Sequence, residues 1–342
     1  MKFRCGVIGL GRIGCGFDDN PNARLISTHV GAYLKHSKTD LVSLCDVDKN
    51  KLNKYGLKYN IKNNYTNYHD MLKKEKLDCI SICTWSESHL EIVEEAIKNN
   101  VKGIFLEKPI SNSLINAKKI VDLCKQNNVK LQIDFQRRFD PIYEFIKKII
   151  LNKKFGDIQF FNIYYGGGIN NTGSHLCDLI RFLFGDIKYV EGYFSNNLSN
   201  NKFDPNIDGK IICKNSIKCN LQSFDYSKFG LIEFDVIGTK SRIKMNLTTG
   251  EILFFKVQSP KYGLVYNELI PKELKIPKQS SAILNGVKNL IKCIEFDKKP
   301  LSSGEDGYHS LETVISLMIS AEKNGKKIEV PFKNNTYKIT SK

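Results

Sequence analysis

The stretch KFRCGVIGLGRIG, residues 2–14, is a short apolar run that leads into three glycines with the spacing Gly-x-Gly-x-x-Gly. The run predicts a strand over Phe3–Gly9. In that context Gly9 permits a tight turn, and Gly11 lets a pyrophosphate approach the backbone. The backbone amides at the start of the next helix, after Gly14, bind the anion. The stretch therefore predicts a dinucleotide-binding turn; a purely structural turn is the alternative.

Asp46 ends the next predicted strand, Leu41–Asp46. A carboxylate at that place bonds the adenosine ribose hydroxyls and repels a 2′-phosphate, so NAD is favoured over NADP. Gly14 and Asp46 are 32 residues apart, against about 20 in the ordinary pattern. We interpret Phe17–Ser27 as an inserted loop that explains the excess and borders a substrate pocket. The predicted cofactor contacts of these segments are Gly9, Gly11, Arg12, Ile13, Gly14 and Asp46.

The first half of the chain alternates strand and helix patterns, and its strands are nearly continuously apolar, as in Cys79–Cys83. Such strands are covered on both faces, and repeated strand-helix-strand units build a parallel, doubly wound sheet. The further predicted strands are Gly103–Leu106 and Lys130–Phe135. The predicted helices are His29–Lys35, Lys49–Tyr55, Tyr68–Lys74, His89–Asn99 and Leu114–Asn127. Residues 1–125 are predicted to be an NAD-binding domain of the Rossmann type.

After Asp140-Pro141 the pattern changes to strands with few helices. Short turns join these strands, which indicates antiparallel pairing. The predicted strands are Ile158–Tyr165, Tyr189–Phe194, Lys210–Cys213, Lys218–Phe224, Leu231–Ile237, Ser241–Asn246 and Ile252–Val257. The predicted helices are Ile142–Leu151, Ser174–Phe184, Ala282–Cys293 and Glu305–Lys323. Residues 126–342 are predicted to be an α+β domain with a large, mostly antiparallel open sheet, so that the chain as a whole is α/β.

Composition excludes several classes of partner. The formal charge is +16, but only seven of the 52 basic residues are arginine and the lysines are scattered, so no nucleic-acid surface is predicted. No apolar run reaches about 18 residues, and the N-terminus leads directly into a strand, so neither a membrane span nor a signal peptide is expected. Ten dispersed cysteines without a CxxC pair predict reduced thiols, no metal site and a cytoplasmic location.

Two loops at the carboxyl ends of predicted strands supply further candidates. Thr84, Trp85 and His89 follow Cys79–Cys83 and are predicted to touch the dinucleotide, although His89 fits a locally packed helix start equally well. Glu107 and Lys108 follow Gly103–Leu106 on the same edge and are also predicted to contact the cofactor. A lysine there can donate to a substrate hydroxyl and lower the pKa of that hydroxyl, while Glu107 orients it or pairs with it. Pro109 biases Lys108 towards an extended conformation.

His175 lies at the start of the predicted helix behind Gly166-Gly167-Gly168, and Ser174 is its predicted N-cap. A neutral histidine near pH 7 accepts an alcohol proton readily, so His175 is a candidate general base. Asp178 lies three positions later on the same helix face and is, with Asn171, a candidate for substrate binding. Read alone, a histidine at a helix start is more often structural.

These motifs in this order resemble the Gfo/Idh/MocA family, which includes glucose–fructose oxidoreductase and inositol dehydrogenase. The resemblance includes GLGRIG at 9–14, CDVD at 45–48, SICT at 81–84, EKP at 107–109, QRRFDP at 136–141, GGG at 166–168, HxxD at 175–178 and SGEDGYHSL at 303–311. It implies oxidation or reduction of a sugar or cyclic polyol hydroxyl with NAD, and homo-oligomers formed through the C-terminal sheet. The family's catalytic lysine and histidine would be Lys108 and His175.

The chain departs from many family members at Asn171, where they carry an aspartate four residues before the histidine. The resemblance to some nucleotide-sugar dehydrogenases, which share the asparagine, implies a sugar, amino sugar, sugar phosphate or nucleotide sugar as substrate. It also implies a role in the synthesis of surface-glycan precursors. Two alternatives remain open. One is an NAD-retaining, glycosidase-type enzyme, and the other is a non-catalytic regulator that senses dinucleotides.

Overall fold

The computed structural model describes residues 2–260, 265–332 and 336–340. The chain divides into two compact units, Met1–Pro141 with Gln279–Tyr308, and Ile142–Lys278 with His309–Lys342. The sequence instead put the boundary between residues 125 and 126 and assigned both late helices to the second domain.

The first late helix lies in the first unit because its apolar side chains join the core of that unit. Ile283, Val287 and Leu290 share one buried cluster with Val7 and Phe105. Polar bonds support the same packing, since the side chain of Gln132 donates to the carbonyl of Gly286 over 2.9 Å. A pairing between segments so far apart in sequence leaves no local sign in either segment.

A six-stranded parallel sheet forms the centre of the first unit, as predicted. Its strands are β1 (Phe3–Ile8), β2 (Thr39–Cys45), β3 (Asn63–Tyr65), β4 (Cys79–Ile82), β5 (Gly103–Leu106) and β6 (Lys130–Ile133). They run in the order β3-β2-β1-β4-β5-β6, and every residue of β4 and β5 is buried. From β1 the chain first adds β2 and β3 on one side and then β4, β5 and β6 on the other. The topological switch point of the sheet therefore lies between β1 and β4.

Six helices connect or cover these strands among the described residues. They are α1 (His29–Lys35), α2 (Lys49–Tyr59), α3 (Tyr68–Glu75), α4 (His89–Lys98), α5 (Leu114–Gln126) and, late in the chain, α8 (Ala282–Glu295). Polar side chains cap several of their N-termini: Thr28 accepts the amide of Gly31, and Ser113 accepts the amide of Asn116. The predicted doubly wound architecture is confirmed.

Backbone bonds connect the glycine loop with α1 across the segment predicted as an insertion. Residues 12–15 form a turn and Gly16–Asp19 a 3-10 helix, and the amides of His29 and Val30 donate to the carbonyls of Ile13 and Gly14 over 3.1 Å each. Asp18 binds the end of the segment through the amide of Ser27, over 2.7 Å. The start of α1 is therefore held against the glycine loop although the inserted segment separates the two in sequence.

A nine-stranded sheet forms the second unit, and its pairs are antiparallel except β7 with β10. The strands are β7 (Ile158–Tyr165), β8 (Ile187–Phe194), β9 (Ile207–Cys213), β10 (Lys218–Ser223), β11 (Glu233–Gly238), β12 (Ser241–Asn246), β13 (Ile252–Gln258), β14 (Glu268–Pro271) and β15 (Ile328–Glu329). Their order is β14-β13-β12-β11-β7-β10-β9-β8-β15. The predicted large, mostly antiparallel sheet is confirmed.

Helices α6 (Pro141–Leu151), α7 (Ser174–Phe184) and α9 (Gly304–Glu322) complete the described elements, and the division between the units cuts α9 after Tyr308. Phe161 of β7 stacks on Phe184 of α7 at 4.2 Å between ring centroids, which fixes this helix on the sheet. No described helix has both the length and the apolar character that crossing a membrane requires.

The strands that the sequence missed are β3, β14 and β15. Each lies at or next to an edge of its sheet, where one side has no strand to pair with. Edge strands are short and carry polar residues, as in Asn63-Asn64-Tyr65, so they lack the apolar pattern by which buried strands are recognised.

Candidate functional site

The carboxyl ends of the central strands meet at one edge of the parallel sheet. Backbone bonds fix this alignment: the amide of Cys83 donates to Ile8, and that of Glu107 donates to Ile82, over 2.7 and 2.9 Å. The residues that follow β1, β4 and β5 therefore lie side by side at the switch point. This is the place where doubly wound sheets bind ligands.

The three glycines of the first loop have different surroundings. Gly9 has φ +94°, and a Cβ there would lie 2.6 Å from the carbonyl oxygen of Cys83. A Cβ on Gly14 would lie 2.1 Å from the carbonyl oxygen of Gly9. A Cβ on Gly11 would meet nothing within 4 Å. Gly9 and Gly14 are thus required by the packing of the loop, whereas Gly11 leaves an open approach to the backbone, as the pyrophosphate of a dinucleotide needs.

Asp46 lies directly after β2, beside this loop. One carboxylate oxygen accepts the amide of Leu10 over 2.6 Å, and the other accepts the amide of Asp48 over 2.9 Å. These two bonds fix the side chain, and each ionised oxygen keeps further lone pairs for a ribose hydroxyl. Arg12 is exposed, and its guanidinium lies 4.8 Å from the ring centre of Phe17 in the inserted segment.

The loop after β4 holds one exposed and one buried candidate. Trp85 is 59% exposed, whereas His89 is completely buried. The ring nitrogens of His89 face the carbonyls of Thr84 and Ile110 at 3.1 and 3.2 Å. Burial lowers its pKa, so the ring is neutral and donates to one of the two. His89 thus follows the alternative that the sequence left open, a locally packed helix start, and it stabilises the loop that carries Thr84.

Glu107 pairs with a histidine that the sequence did not single out. His29 Nε2 lies 3.1 Å from Glu107 Oε1 and 3.6 Å from Asp134 Oδ2, and its Nδ1 lies 2.8 Å from Ser81 Oγ. All four side chains are buried, and the ring of Phe105 meets the imidazole edge to face at 4.7 Å. The start of α1 and the ends of β5 and β6 therefore meet beside Ser81 of β4 in one hydrogen-bonded cluster. We call it the His29 cluster (His29, Ser81, Glu107 and Asp134).

The charges of the His29 cluster follow from burial and from its own members. Burial and the carboxylate of Asp134 raise the pKa of Glu107 to about 7, and His29 opposes this shift. Burial lowers the pKa of His29, but Cys83, Asp134 and Glu107 together hold it well above its usual value. Burial raises the pKa of Cys83, so its thiol is neutral near pH 7. The carboxylates of Glu107 and Asp134 therefore supply the charge that stabilises the protonated ring of His29.

The spacing in the His29 cluster would also suit a cation. The donor atoms of His29, Glu107 and Asp134 lie within 4.8 Å of one another, the one such grouping found among the described residues. In this structure His29 and Glu107 share a hydrogen bond, so a proton lies between their donor atoms. The absence of a metal site stays a prediction.

Lys108 directly follows Glu107 and is half-buried. Its peptide bond with Pro109 is cis, which the sequence pattern did not indicate. Ile110, immediately beyond, is completely buried and fixes the far side of this turn. Lys108 thus lies at the carboxyl edge of the sheet, as predicted, on a turn held by buried neighbours on both sides.

In the second unit, a glycine turn positions the segment before α7. Gly167 and Gly168 have φ +82° and +86°, and a Cβ on Gly168 would lie 2.2 Å from the Asp204 carboxylate. That carboxylate accepts the amides of Asn170 and Asn171 over 2.7 and 2.9 Å. The glycines are therefore required so that Asp204 can hold the backbone on which Asn171 is exposed.

His175 is half-buried near the start of α7, while Asp178 is only 2% exposed. The expected N-cap role of Ser174 is wrong. Residues Gly168–Gly173 form a π-helical turn that runs into α7, so no free helix start exists there. Ser174 Oγ instead donates to the carbonyl of Asn171 over 2.9 Å. The order Asn171, His175, Asp178 thus follows one continuous helical path.

Sequence reasoning missed His29, Ser81 and Asp134. Asp134 follows β6 as Asp46 follows β2, and this parallel could have drawn attention to it. His29 was placed correctly at the start of α1 but was taken as a helix residue only. A histidine within the apolar pattern of a buried helix was the available signal.

Two family models match the chain. Residues 3–135 match the family described as "Oxidoreductase family, NAD-binding Rossmann fold", and residues 162–244 match the "GFO/IDH/MocA C-terminal domain". Together the matches cover more than half of the chain. They bear out the resemblance drawn from the motifs and the expected NAD-binding fold.

Individual relatives are more distant. The chain is 28% identical to D-apiose dehydrogenase of Paraburkholderia graminis over 51% of its own length and 49% of that protein, so the match spans about half of that relative. It is 23% identical to myo-inositol 2-dehydrogenase of Thermotoga maritima over 90% of the chain and 93% of that protein. The WlbA dehydrogenase of Bordetella pertussis, solved with NADH and UDP-GlcNAcA, has the same fold, with a TM-score of 0.78, 20% identity and coverage of 97% and 100%.

Proposed function

Because the chain belongs to the Gfo/Idh/MocA oxidoreductase family, we propose that it is an NAD-dependent dehydrogenase that oxidises or reduces one carbon of a sugar or cyclic polyol. The observation that carries the proposal is the glycine loop. Gly9 and Gly14 are fixed by close backbone contacts, while Gly11 leaves the approach that a pyrophosphate requires. Residues Gly9–Gly14, with Asp46 for the ribose, would hold the cofactor, and Thr84 and Trp85 line the neighbouring loop. Bound NAD would supply the hydride acceptor.

We assign the proton chemistry to Lys108 and His175. The ammonium of Lys108 donates to the reacting hydroxyl and favours its deprotonated form, because a nearby positive charge lowers the pKa of an acid. The imidazole of His175 then takes the hydroxyl proton during oxidation and returns it during reduction. Asn171 and Asp178, on the same helical path, are proposed to bind other substrate hydroxyls.

The substrate class rests on the relatives and on Asn171. The named relatives act on apiose and on inositol, which are polyhydroxylated compounds, and the solved neighbour holds a nucleotide sugar. We propose a sugar, amino sugar, sugar phosphate or nucleotide sugar, with a role in surface-glycan precursor synthesis. Asn171 bonds a hydroxyl without adding charge, which fits a substrate that brings its own negative charge.

A substrate screen tests the proposal. The purified chain is incubated with NAD and a panel of polyols, sugars, sugar phosphates and nucleotide sugars, and NADH is followed by absorbance at neutral and alkaline pH. We expect turnover with one structural class and its loss in His175→Asn. Tightly retained NAD with glycoside cleavage but no net NADH would instead indicate the glycosidase-type alternative. Dinucleotide binding that survives loss of both Lys108 and His175, with no turnover on any compound, would indicate a regulator.

We also propose a cytoplasmic location and a homo-oligomer. All ten cysteines are free thiols, which supports a reducing compartment. Apolar side chains on the last strands of the large sheet are accessible, with Leu253 and Leu269 44% and 42% exposed. A dimer or tetramer that forms through this sheet would cover them, and light scattering with Leu253→Lys as the disrupting variant tests that assembly.

A further inference from the structure

The His29 cluster is more than a packing feature, because its hydrogen bonds determine the charge of the histidine. When Glu107 is ionised its carboxylate is an acceptor only, so its bond with His29 Nε2 then requires a proton on Nε2. On the other side of the ring, Ser81 Oγ donates to Tyr33 Oη over 3.0 Å, so towards His29 it acts as an acceptor. Nδ1 then carries a proton as well. With Glu107 ionised, both ring nitrogens therefore donate, and the side chain is an imidazolium.

The position of this cation in the fold links it to the candidate site. His29 begins α1, Glu107 follows β5 and Asp134 follows β6, so one ring connects three segments of the carboxyl edge. Glu107 immediately precedes Lys108. The bond between His29 and Glu107 therefore holds the residue directly before Lys108.

We propose that His29 is a positioning residue for the reaction at Lys108: as an imidazolium held by Ser81, it bridges the carboxylates of Glu107 and Asp134 and fixes the turn that carries Lys108. This inference rests on the proposed dehydrogenase function. The structure supports it through the exclusion of water from the bridge, since His29, Glu107 and Asp134 are 0%, 8% and 1% exposed. Within a buried site, such charged hydrogen bonds are strong and hold a defined geometry.

The carboxyl groups of Glu107 and Asp134 face the same ring nitrogen of His29, at 3.1 and 3.6 Å. No described residue donates to Asp134 Oδ1. The titratable neighbours of His29 are Cys83 from the end of β4, Glu107 from β5 and Asp134 from β6, and Cys83 is a neutral thiol near pH 7. Burial and Asp134 raise the pKa of Glu107 to about 7, so this carboxyl group takes up a proton near that pH. The strength of the bridge therefore changes near pH 7.

Nuclear magnetic resonance of the full chain tests the charge of His29 without any turnover. The six histidines are labelled with nitrogen-15, and the signals of His29 are identified by their loss in His29→Gln. We expect both ring nitrogens to be protonated at pH 7, and Ser81→Ala to lower the pH at which His29 titrates. A neutral ring at pH 7 would overturn the inference. So would a metal ion bound at one per chain that His29→Gln releases, measured by elemental mass spectrometry.

Kinetics separate positioning from a merely structural role. We expect His29→Gln to lower kcat by about 100-fold, the cost of misplacing a reacting group by about 1 Å, with the Kd of NAD unchanged. His29→Leu, which cannot donate a hydrogen bond, loses more. Because His29 lowers the pKa of Glu107, its replacement also shifts the acid limb of kcat/KM to higher pH. The control is His69→Gln, a half-exposed histidine of α3 paired with Glu95, which leaves all three quantities unchanged.

A wild-type kcat and pH profile in His29→Gln would overturn the positioning role. If both His29 variants fail to fold, the signals of His29 are identified by replacing the other five histidines one at a time, and the wild type then shows whether the bridging cation exists. If the wild type produces no NADH from any compound, the proposed function fails, whereas the charge of His29 is still decided by the same resonance experiment.

Discussion

The backbone amide of His29 donates to the carbonyl of Ile13 over 3.1 Å, and this bond joins α1 to the glycine loop across the segment 14–28. The glycine loop and the residue at the centre of the His29 cluster are thus joined directly by a backbone bond. The side chain of the same His29 reaches Glu107, so a single residue connects the predicted cofactor loop with the turn of Lys108.

The two glycines with opposite surroundings give a matched pair of variants. We expect Gly11→Ala to fold normally, because its Cβ meets open space, yet to weaken NAD binding by about tenfold or more, as the methyl group occupies the path of the pyrophosphate. Gly14→Ala places its Cβ against the carbonyl of Gly9 and should lower the free energy of unfolding by about 1–3 kcal/mol. Calorimetric titration with NAD and urea unfolding measure the two effects. Equal NAD affinity in Gly11→Ala would contradict the assigned path.

Lys108→Met removes the charge but keeps most of the side-chain volume. We expect kcat to fall by about 10²–10⁴, because the charge that favours the deprotonated hydroxyl is lost, and the Kd of NAD to stay within about twofold of the wild type. Lys102→Met is the matched control, since Lys102 precedes the same strand at its other end and pairs with Asp78 at the surface. Unchanged turnover in Lys108→Met, measured as NADH formation, would remove Lys108 from the mechanism.

The stability of the protein should fall as the pH rises from about 4.5 to about 7. In that window the folded state keeps a proton on Glu107, whose pKa is raised to about 7, while the unfolded state has already lost it. The folded state then binds more protons, so the free energy of unfolding decreases with pH, by up to about 1.4 kcal/mol per pH unit for one proton. His29 also makes the free energy of unfolding decrease with pH. Its stabilising effect is complete below about pH 6.5 and is lost as the pH rises through its higher folded-state pKa.

Urea midpoints between pH 4.5 and 8 measure this dependence, and Glu107→Gln provides the comparison. Because glutamine does not titrate, the decrease between pH 4.5 and 7 should become smaller in that variant. A wild-type midpoint that rises over the same interval would show that Glu107 ionises in the folded state as it does in the unfolded state.

Two adjacent carboxylates in the inserted segment should differ in their effect on stability. Asp18 accepts the amide of Ser27 and the hydroxyl of the buried N-cap Thr28, over 2.7 and 2.5 Å. Asp18→Ala leaves these donors unsatisfied and should cost about 1–3 kcal/mol. Asp19 holds Lys54 and Lys58 at the surface, so Asp19→Ala should cost less than about 1 kcal/mol. Both are measured by urea unfolding, and the reverse order would contradict the assigned roles.

Local patterns predicted the elements well where both faces of a strand or one face of a helix are buried. The bounds predicted for Gly103–Leu106 and Ser174–Phe184 agree with the structure at both ends. The pattern failed at edge strands such as β3 and β14, which bury too little to need an apolar sequence. It also failed at Ser174, since the π-helical turn that removes its N-cap position depends on Asp204, thirty residues later.

The sequence by itself determined the parallel sheet, the glycine loop and its carboxylate Asp46, and the segments that carry Lys108 and His175, because each depends on residues that are close together in the chain. Only the tertiary structure decided that α8 joins the first unit and that Glu107 pairs with His29, 78 residues earlier. The physical reason is that a buried charge takes whichever partner folding brings within hydrogen-bond distance, and no local spacing encodes that partner.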